Sequence, residues 1–340
     1  MFILKTMFSQ RIGNRGKQKR LQELDRFDFT PGPTSADCIE DGLWLGNLSA
    51  AVDKEFLESI KCNHILTVDS CPLPRNIISL PGMISMYIQL TDMPHEDILS
   101  NFDNTFKFIS EGQRSGVVLV HCYFGVSRSC SVVIAFLMKK YCISYPQALD
   151  RVKAKRSTVG PNNGFVNQLR LYERMGYLID KGLLDWRLFR MRIASEFMTK
   201  VKILPTDCND VIKPDPALVT AKPDPLVYKC YHCRRIIANK SNIIPHVAGK
   251  KVTWTNPQSF SNHSENVVCK EYLFCEPLAW MKLNSVEGKL YCPKCQCKLG
   301  SFNWVMGTYC VCKARMVPCF YFIPSKIELC NIIQNVEATI

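Results

Sequence analysis

The chain has 340 residues, which predicts about two domains at the usual size of roughly 100–200 residues each. Apolar residues make up 47% and charged residues 21%, a globular composition that excludes a disordered or fibrous chain. The formal net charge is +13, and of the 18 cysteines six lie in residues 1–200 and twelve in residues 201–340. Clustered cysteine in a chain of this length favours metal binding or catalysis over a disulfide framework.

Residues 1–34 are predicted to form a flexible basic arm. The first 22 residues contain neither Asp nor Glu, and Lys5 breaks their apolar start, which is too short for a secretory signal. An organelle presequence is the alternative to a solvated arm. The longest apolar run, Val132–Met138, has seven residues, whereas a membrane helix needs about 20. We therefore expect no membrane segment, and a reducing compartment in which the cysteines begin as thiols.

Residues 35–180 are predicted to form an α/β domain. Strands are predicted at 43–45, 64–68, 85–90 and 117–120, and helices at 51–60, 129–141, 146–156 and 165–177. Apolar strands that alternate with helices indicate a mostly parallel central sheet flanked by helices on both faces.

After residue 180 the chain is predicted to contain a linker, a second domain and a tail. Residues 181–226 contain five prolines from Pro205 to Pro225, which predicts an extended linker. Residues 227–325 consist of short β-rich pieces between pairs of cysteines, which predicts a small β-rich zinc-binding domain. Residues 326–340 are expected to be a C-terminal tail.

A loop after the strand at 117–120 has the residues of a phosphate-cleaving site. A strand that enters a helix through a tight loop turns backbone N–H groups inward, and Gly125 permits the turn. Cys122 lies at the positive end of the helix, which predicts a reactive thiolate, and the fork of Arg128 suits two phosphoryl oxygens. The Ser129 hydroxyl can donate a hydrogen bond to the sulfur when it leaves. These residues predict nucleophilic phosphoryl transfer through a cysteinyl-phosphate.

The segment His121-Cys-x5-Arg128-Ser129 resembles the signature of the protein tyrosine phosphatase superfamily, and Gly-Val-Ser-Arg-Ser resembles its dual-specificity branch. The resemblance implies the cysteine-phosphatase fold for the α/β domain. It also implies a set of phosphate-binding loop residues: Tyr123, Phe124, Gly125, Val126, Ser127 and Arg128. Inositide phosphatases usually carry lysines in this loop and RNA triphosphatases carry Asn-Arg-Thr, so phosphoproteins are the favoured substrates. The resemblance implies that these carry phosphotyrosine and phosphoserine/threonine.

The same family takes the proton for its leaving group from an aspartate about thirty residues before the cysteine. Asp92 follows the strand at 85–90 and is our candidate for general acid and then general base, with Asp97 as the rival. Pro161-Asn-Asn-Gly-Phe165-x2-Gln168 resembles the closing motif of the family, which implies that this turn supports the catalytic loop. Tyr123 and Phe124 depart from the family because bulky residues are unusual there; they either line the mouth of the pocket or narrow it.

Two C-x2-C pairs, Cys230–Cys233 and Cys292–Cys295, indicate metal sites. Chain order predicts Cys230, Cys233, His246 and Cys269 as ligands of one ion and Cys292, Cys295, Cys310 and Cys312 as ligands of a second. The alternatives are His263 and Cys275 for the third and fourth ligands of the first ion, and Cys297 and Cys319 for those of the second. Closed thiolate-rich tetrahedra favour two structural zinc ions, with iron–sulfur as the alternative and no metal in catalysis.

The tail carries a second resemblance. Tyr228-x-Cys-x2-Cys-Arg-Arg, Glu276-Pro-x2-Trp280-Met and the segment from Cys292 to Trp304 resemble the zinc-binding tail of a group of dual-specificity phosphatases and their fungal relatives. The resemblance implies that this tail acts in assembly of the large ribosomal subunit. We expect a monomer of the cytoplasm and the nucleus. Residues 201–340 carry 17 basic against 10 acidic residues, which suits pre-ribosomal particles or ribosomal RNA. A zinc-dependent adaptor with dispensable catalysis is therefore the alternative function.

Overall fold

The computed structural model describes residues 31–218, 224–255 and 269–332. Most of the basic arm (1–30), the end of the C-terminal tail (333–340) and the alternative ligand His263 lie outside the described residues. The chain divides into two compact units at Leu169/Arg170, and the segment His95–Asp97 belongs to the second unit. Among the described residues, no helix has the length and apolar character that crossing a membrane requires.

The first unit is built on a five-stranded sheet. Its strands are β1 (Ala36–Glu40), β2 (Leu43–Gly46), β3 (Cys62–Asp69), β4 (Ile84–Gln89) and β5 (Val117–His121). The order is β1-β2-β5-β3-β4, in which β2, β5, β3 and β4 run parallel and only β1 is antiparallel to its neighbour. The predicted mostly parallel sheet is confirmed, with β1 as a strand that the sequence pattern does not predict.

Helices fill the connections between these strands and follow the last one. They are α1 (Leu48–Val52), α2 (Lys54–Ser59), α3 (Arg75–Ile78), α4 (Phe102–Ser115), α5 (Arg128–Tyr141), α6 (Tyr145–Lys155) and α7 (Asn163–Arg174), with a short 3-10 turn at Leu99–Asn101. The helix predicted at 51–60 is instead two helices. Asp53 ends the first and caps the second, because its side chain accepts a hydrogen bond from the N–H of Phe56 at 3.1 Å.

The centre of the sheet positions the catalytic loop. Strand β5 lies between β2 and β3, and the residues from Val118 to Val120 are fully buried. Helix α5, which follows it, is buried from Arg128 to Met138. Because both elements are packed on all sides, the loop between His121 and Arg128 has fixed ends at the carboxyl edge of the sheet.

The second unit consists of small β-sheets. Its strands are β6 (Leu226–Cys230), β7 (Ile236–Asn239), β8 (Lys251–Val252), β9 (Leu273–Phe274), β10 (Glu287–Tyr291), β11 (Lys298–Asn303), β12 (Thr308–Tyr309), β13 (Arg315–Met316), β14 (Cys319–Phe322) and β15 (Ile327–Asn331). They form the sheets β10-β11-β14-β9, β12-β13-β8 and β15-β6-β7. Short 3-10 turns lie at Thr206–Val211, Lys240–Asn242 and Pro324–Lys326. The predicted β-rich character of this region is confirmed.

A long helix replaces part of the expected linker. Helix α8 (Leu184–Lys200) belongs to the second unit, where the Phe189 ring lies 5.1 Å from that of Trp254. The Ser195 hydroxyl donates to the carbonyl of Trp304 at 2.7 Å. Buried side chains occur on all sides of the helix, which therefore forms part of the core of this unit rather than an extended connection.

Candidate functional site

The loop after β5 folds tightly around the thiol of Cys122, which is 1% exposed. Gly125 has a φ of +70°, and its N–H points at the sulfur with 3.3 Å between N and Sγ. A Cβ at this glycine would lie 2.6 Å from the carbonyl oxygen of Gly46, so no side chain fits. The loop therefore presents the backbone N–H predicted for an anion cradle.

Ser129 and Arg128 lie where the sequence predicts them. The Ser129 hydroxyl lies 3.1 Å from Cys122 Sγ and can donate to it. Arg128 is buried, and its Nη1 donates to the carboxylate of Asp69 at 2.6 Å and to the carbonyl of Leu90 at 3.2 Å. Both contacts use one nitrogen of the guanidinium, and Nε has no hydrogen-bond partner among the described residues. That donor remains for a phosphoryl oxygen.

Asp69 is a residue that the sequence analysis misses. It ends β3, the strand beside β5, and its ion pair with Arg128 holds the guanidinium in place. One signal in the sequence points to it, because parallel neighbouring strands bring their carboxyl ends to the same edge of a sheet. Asp69 directly follows the strand predicted at 64–68.

The two candidate acids have different partners. Asp92 is exposed and accepts hydrogen bonds at Oδ1 from the Ser127 hydroxyl at 2.6 Å and from Asn162 Nδ2 at 2.8 Å. Asp97 pairs instead with the guanidinium of Arg190, within the second unit. Of the two candidate acids, Asp92 thus contacts the catalytic loop, whereas Asp97 contacts Arg190.

The closing motif supports this arrangement. The N–H of Asn162 donates to the Ser127 hydroxyl at 3.1 Å, which links the motif to the loop. A Cβ at Gly164 would lie 1.9 Å from the carbonyl oxygen of Pro94, so this glycine permits the close approach of the segment that carries Asp92. Gln168 is buried, and its Oε1 accepts from the N–H groups of Ile98 and Leu99 at 3.1 and 2.9 Å.

Three further side chains border the loop. The ring of Phe124 is 46% exposed and packs edge-on against that of Tyr123 with 4.9 Å between centroids. His121 is fully buried, and burial lowers its pKa to about 4, so the imidazole is neutral near pH 7. Its Nε2 lies 2.8 Å from the hydroxyl of Thr67 on β3. Phe124 is therefore an accessible aromatic side chain of the loop, whereas His121 is buried and supports the loop from within.

The second unit brings the eight predicted metal ligands into two clusters. In the first, Cys230, Cys233, Cys292 and Cys295 have all their sulfurs within 4.8 Å of one another. The Cys233 and Cys292 sulfurs are 3.5 Å apart, and those of Cys230 and Cys295 are 3.7 Å apart. A tetrahedron with Zn–S bonds of about 2.3 Å has sulfurs roughly 3.8 Å apart, so this cluster fits a closed zinc site.

Tight turns create the first cluster. The N–H of Cys230 donates to the carbonyl of Arg235 at 2.8 Å, and the N–H of Cys292 donates to that of Cys297 at 2.9 Å. Each turn contains a residue in the left-handed region, Arg234 at a φ of +64° and Gln296 at +59°. These turns point both sulfurs of each pair toward the same place.

The second cluster contains His246, Cys269, Cys310 and Cys312, again with ligand atoms within 4.8 Å of one another. His246 is 1% exposed, and its Nε2 is buried without a hydrogen-bond partner among the described residues. Burial lowers the pKa of His246 to about 4, which leaves a neutral imidazole with a lone pair for a metal. One nitrogen and three sulfurs form a second donor set that suits zinc.

The grouping predicted from chain order is wrong, although all eight residues lie in clusters. The Cys230 pair shares its site with the Cys292 pair, and His246 and Cys269 share theirs with Cys310 and Cys312. The antiparallel hairpins β6–β7 and β10–β11 each carry one C-x2-C turn, and these two turns meet although the hairpins belong to different sheets. The alternatives Cys275 and Cys319 are fully buried and outside both clusters, whereas the Cys297 sulfur lies 3.7 Å from that of Cys230.

Known proteins resemble this chain along most of its length. Residues 43–175 match the family described as dual specificity phosphatase, catalytic domain. The chain is 41% identical to dual specificity protein phosphatase MPK-4 of Drosophila melanogaster, over 96% of this chain and 95% of that protein. It is 33% identical to dual specificity protein phosphatase 12 of Mus musculus, over 88% and 90% of the two chains. It is 30% identical to tyrosine-protein phosphatase yvh1 of Schizosaccharomyces pombe, over 74% and 72%.

Proposed function

Since this chain belongs to the dual specificity phosphatases of the protein tyrosine phosphatase superfamily, in the group of dual specificity protein phosphatase 12, we propose that it cleaves phosphoproteins through a cysteinyl-phosphate on Cys122. The substrates are phosphotyrosine and phosphoserine/threonine. The observation that supports the proposal is the environment of the thiol, which receives the Gly125 N–H at 3.3 Å and the Ser129 hydroxyl at 3.1 Å.

In the first step the Cys122 thiolate attacks phosphorus and the bond from phosphorus to the leaving oxygen breaks. Arg128 and the loop N–H groups hold the non-bridging oxygens, on which charge is concentrated in the transition state. Asp92 donates a proton to the leaving oxygen. Both hydrogen bonds that Asp92 accepts go to Oδ1, so Oδ2 is the atom that carries this proton.

In the second step water attacks the cysteinyl-phosphate and the sulfur–phosphorus bond breaks. Asp92 now accepts a proton from the water, because the first step left it ionised. The sulfur leaves as a thiolate, and the Ser129 hydroxyl stabilises it by hydrogen bonding. The products are inorganic phosphate and the regenerated thiolate.

Replacing Asp92 with alanine is expected to lower turnover of substrates whose leaving group needs a proton, by about 10²–10⁴-fold for an alkyl phosphate. An aryl phosphate with an acidic phenol leaves without help, so its first step should change far less. Steady-state kinetics on a series of phosphates of differing leaving-group acidity measures this dependence.

Asp97→Ala is the matched control, since its carboxylate pairs with Arg190. It is expected to lower thermal stability and to leave the leaving-group dependence unchanged. If Asp97→Ala steepens that dependence and Asp92→Ala does not, the assignment of the acid is wrong.

We also propose that both clusters of the second unit hold zinc and that the two ions are structural. All four positions of each site are filled by protein side chains, which leaves none for a substrate. When bound, the ions supply folding free energy to a region whose strands are short. The sulfur-rich donor sets support zinc over a hard cation such as Mg²⁺.

We further propose that the second unit acts in assembly of the large ribosomal subunit by binding a pre-ribosomal particle. The protein would do so in the cytoplasm and the nucleus. A basic surface supports this proposal; we define it as Lys250, Lys251, Tyr309, Lys313 and Arg315. Strand pairing joins its parts, because Arg315 of β13 lies opposite Lys251 of β8. Tyr309 is 62% exposed, and the Arg315 guanidinium lies 5.4 Å from its ring centroid.

This surface has the two chemical features that RNA binding requires. Exposed lysines neutralise backbone phosphates, and an exposed aromatic ring stacks on an unpaired base. Lys250, Lys251 and Lys313 are all exposed. The surface adjoins the second metal cluster, since the Gly249 N–H donates to the carbonyl of Cys312 at 2.9 Å.

Replacing Lys250, Lys251 and Lys313 together with glutamine is expected to weaken association with large-subunit precursors by at least about tenfold at physiological salt. Each lost phosphate contact should also lower the slope of log affinity against log salt by about 0.7–0.9. Sedimentation of the full chain with purified particles at several salt concentrations measures both quantities.

The matched control replaces three other exposed lysines of the same unit, Lys289, Lys294 and Lys298, with glutamine. It makes the same change in net charge away from the basic surface. Equal loss of binding in both triple variants contradicts a role for this surface, and a wild-type chain that sediments free of particles contradicts the assembly role itself.

A further inference from the structure

The carbonyl groups of the phosphate loop receive donors from outside the loop. The Tyr123 carbonyl accepts from the N–H of Leu48 at 3.1 Å, and the Val126 carbonyl accepts from the N–H of Gly160 at 2.9 Å. These two contacts come from backbone groups. They hold the outer rim of the loop at both ends.

One side chain serves the two carbonyls between them. Arg156 is 6% exposed at the end of α6, and its Nε donates to the Gly125 carbonyl at 3.0 Å. Its Nη2 donates to the Phe124 carbonyl at 3.4 Å. Nη1 is anchored on the far side, to the Asp37 carboxylate at 2.7 Å and the Ser35 hydroxyl at 3.0 Å. Every nitrogen of this guanidinium therefore has an acceptor.

The contacts have a direct effect on the opposite side of the loop. A trans peptide is planar, so its C=O and the N–H of the next residue point in opposite directions. When Arg156 holds the Phe124 carbonyl outward, the Gly125 N–H must point inward, and it does so, at Cys122 Sγ. By the same geometry, holding the Gly125 carbonyl aims the Val126 N–H inward.

We propose that Arg156 is a positioning residue for the phosphate loop: its fork fixes two peptide planes so that their N–H groups face the thiolate and the bound phosphoryl group. The inference rests on the proposed role of Cys122 and adds a residue that touches neither substrate nor sulfur. Because its positive charge is paired with the Asp37 carboxylate, the guanidinium acts through the hydrogen bonds of its fork.

The test compares Arg156→Met and Arg156→Lys with the wild-type full chain. Equilibrium binding of inorganic phosphate, measured by calorimetry, does not depend on turnover. We expect Arg156→Met to weaken phosphate binding by about tenfold or more, the effect of one to two hydrogen bonds in the loop. Iodoacetamide alkylation of Cys122 should reach half its maximal rate at a higher pH in this variant. Arg156→Lys keeps the charge but not the fork, so its effects should be intermediate.

Arg151→Met is the matched control, because Arg151 lies exposed on the same helix with its guanidinium 4.8 Å from the ring centroid of Tyr141. It should bind phosphate as the wild type does. If Arg156→Met does not fold, Arg156→Lys keeps the test decisive, since it keeps the charge, loses the fork and should still weaken phosphate binding two- to threefold, or about half a kcal/mol.

Two results overturn the inference. One is wild-type phosphate binding and an unchanged alkylation profile in Arg156→Met or, where that variant is unfolded, in Arg156→Lys. The other is a fall in thermal stability of the Arg156 variants with no change in either measurement, which shows a purely structural role. Failure of the proposed function has a different signature, in which the wild type turns over aryl phosphate no faster than Cys122→Ser.

Discussion

Replacing Cys122 with serine is expected to lower turnover of a small aryl phosphate by about 10⁴-fold or more. A serine hydroxyl is far less acidic than a thiol, so near pH 7 it is a much weaker nucleophile. Arg128 and the Gly125 N–H stay in place in this variant, so phosphate binding should persist. The expected result is an enzyme that binds its substrate and does not cleave it.

Steady-state kinetics and phosphate calorimetry on the same preparation separate binding from cleavage. Cys142→Ser is the matched control, because this thiol of the first unit is exposed at the end of α5. It should keep wild-type turnover. Turnover near the wild-type level in Cys122→Ser contradicts the cysteinyl-phosphate mechanism.

Loss of a metal ligand is expected to release one ion and to destabilise the part of the second unit around its cluster. Structural zinc supplies about 10–16 kcal/mol of apparent folding free energy in small zinc-binding peptides, which exceeds the net stability of most domains. We expect two zinc ions per wild-type chain and one in Cys292→Ser. Metal analysis of purified protein by mass spectrometry counts them, and thermal unfolding measures the loss of stability.

The same variant tests the crossed grouping. In Cys292→Ser the remaining thiols of the first cluster, such as Cys230 and Cys233, should react with an alkylating agent, whereas Cys310 and Cys312 stay protected by their ion. Cys312→Ser should give the opposite pattern. Mapping of the alkylated peptides reads out each thiol separately. Exposure of Cys310 in Cys292→Ser, with Cys230 still protected, contradicts the grouping.

The catalytic loop is predictable from the sequence because its parts are close together in the chain. The strand, Cys122, Gly125 and Arg128 lie within twelve residues, and a strand–loop–helix leaves little freedom in how they meet. Asp92 is predictable for a related reason, since it lies three residues after β4, a strand of the same parallel sheet. Asp69 follows such a strand as well, and only its pairing with Arg128 distinguishes it.

The grouping of metal ligands depends on contacts that spacing does not determine. A C-x2-C turn identifies two ligands of one ion but not the turn that supplies the other two. In the first cluster that partner turn is distant in the chain, since Cys233 and Cys292 are 59 residues apart. The two turns lie on hairpins of different sheets, β6–β7 and β10–β11, so the way these hairpins pack decides the grouping, and spacing along the chain carries no signal for that. The sequence therefore predicts the ligands and leaves their distribution open.

The sequence does not predict two other features, helix α8 and the burial of Arg156. Helix α8 has buried residues on all sides, so it lacks the apolar stripe that identifies a surface helix, and the prolines after it favour an extended segment. Arg156 ends a helix with basic residues, which is typical of a solvated C-terminus. Its burial against the loop carbonyls becomes visible only in three dimensions.

The crossed metal clusters impose an order on synthesis of the protein. A nascent chain that ends before Cys292 contains half of the ligands of each cluster and completes neither. The first cluster closes only when Cys295 has been made, and the second only at Cys312 of a chain of 340 residues. The first unit has by then been translated in full, so the second unit matures last. A chain that terminates before Cys292 completes neither cluster, whereas one that terminates between Cys295 and Cys312 lacks only the second.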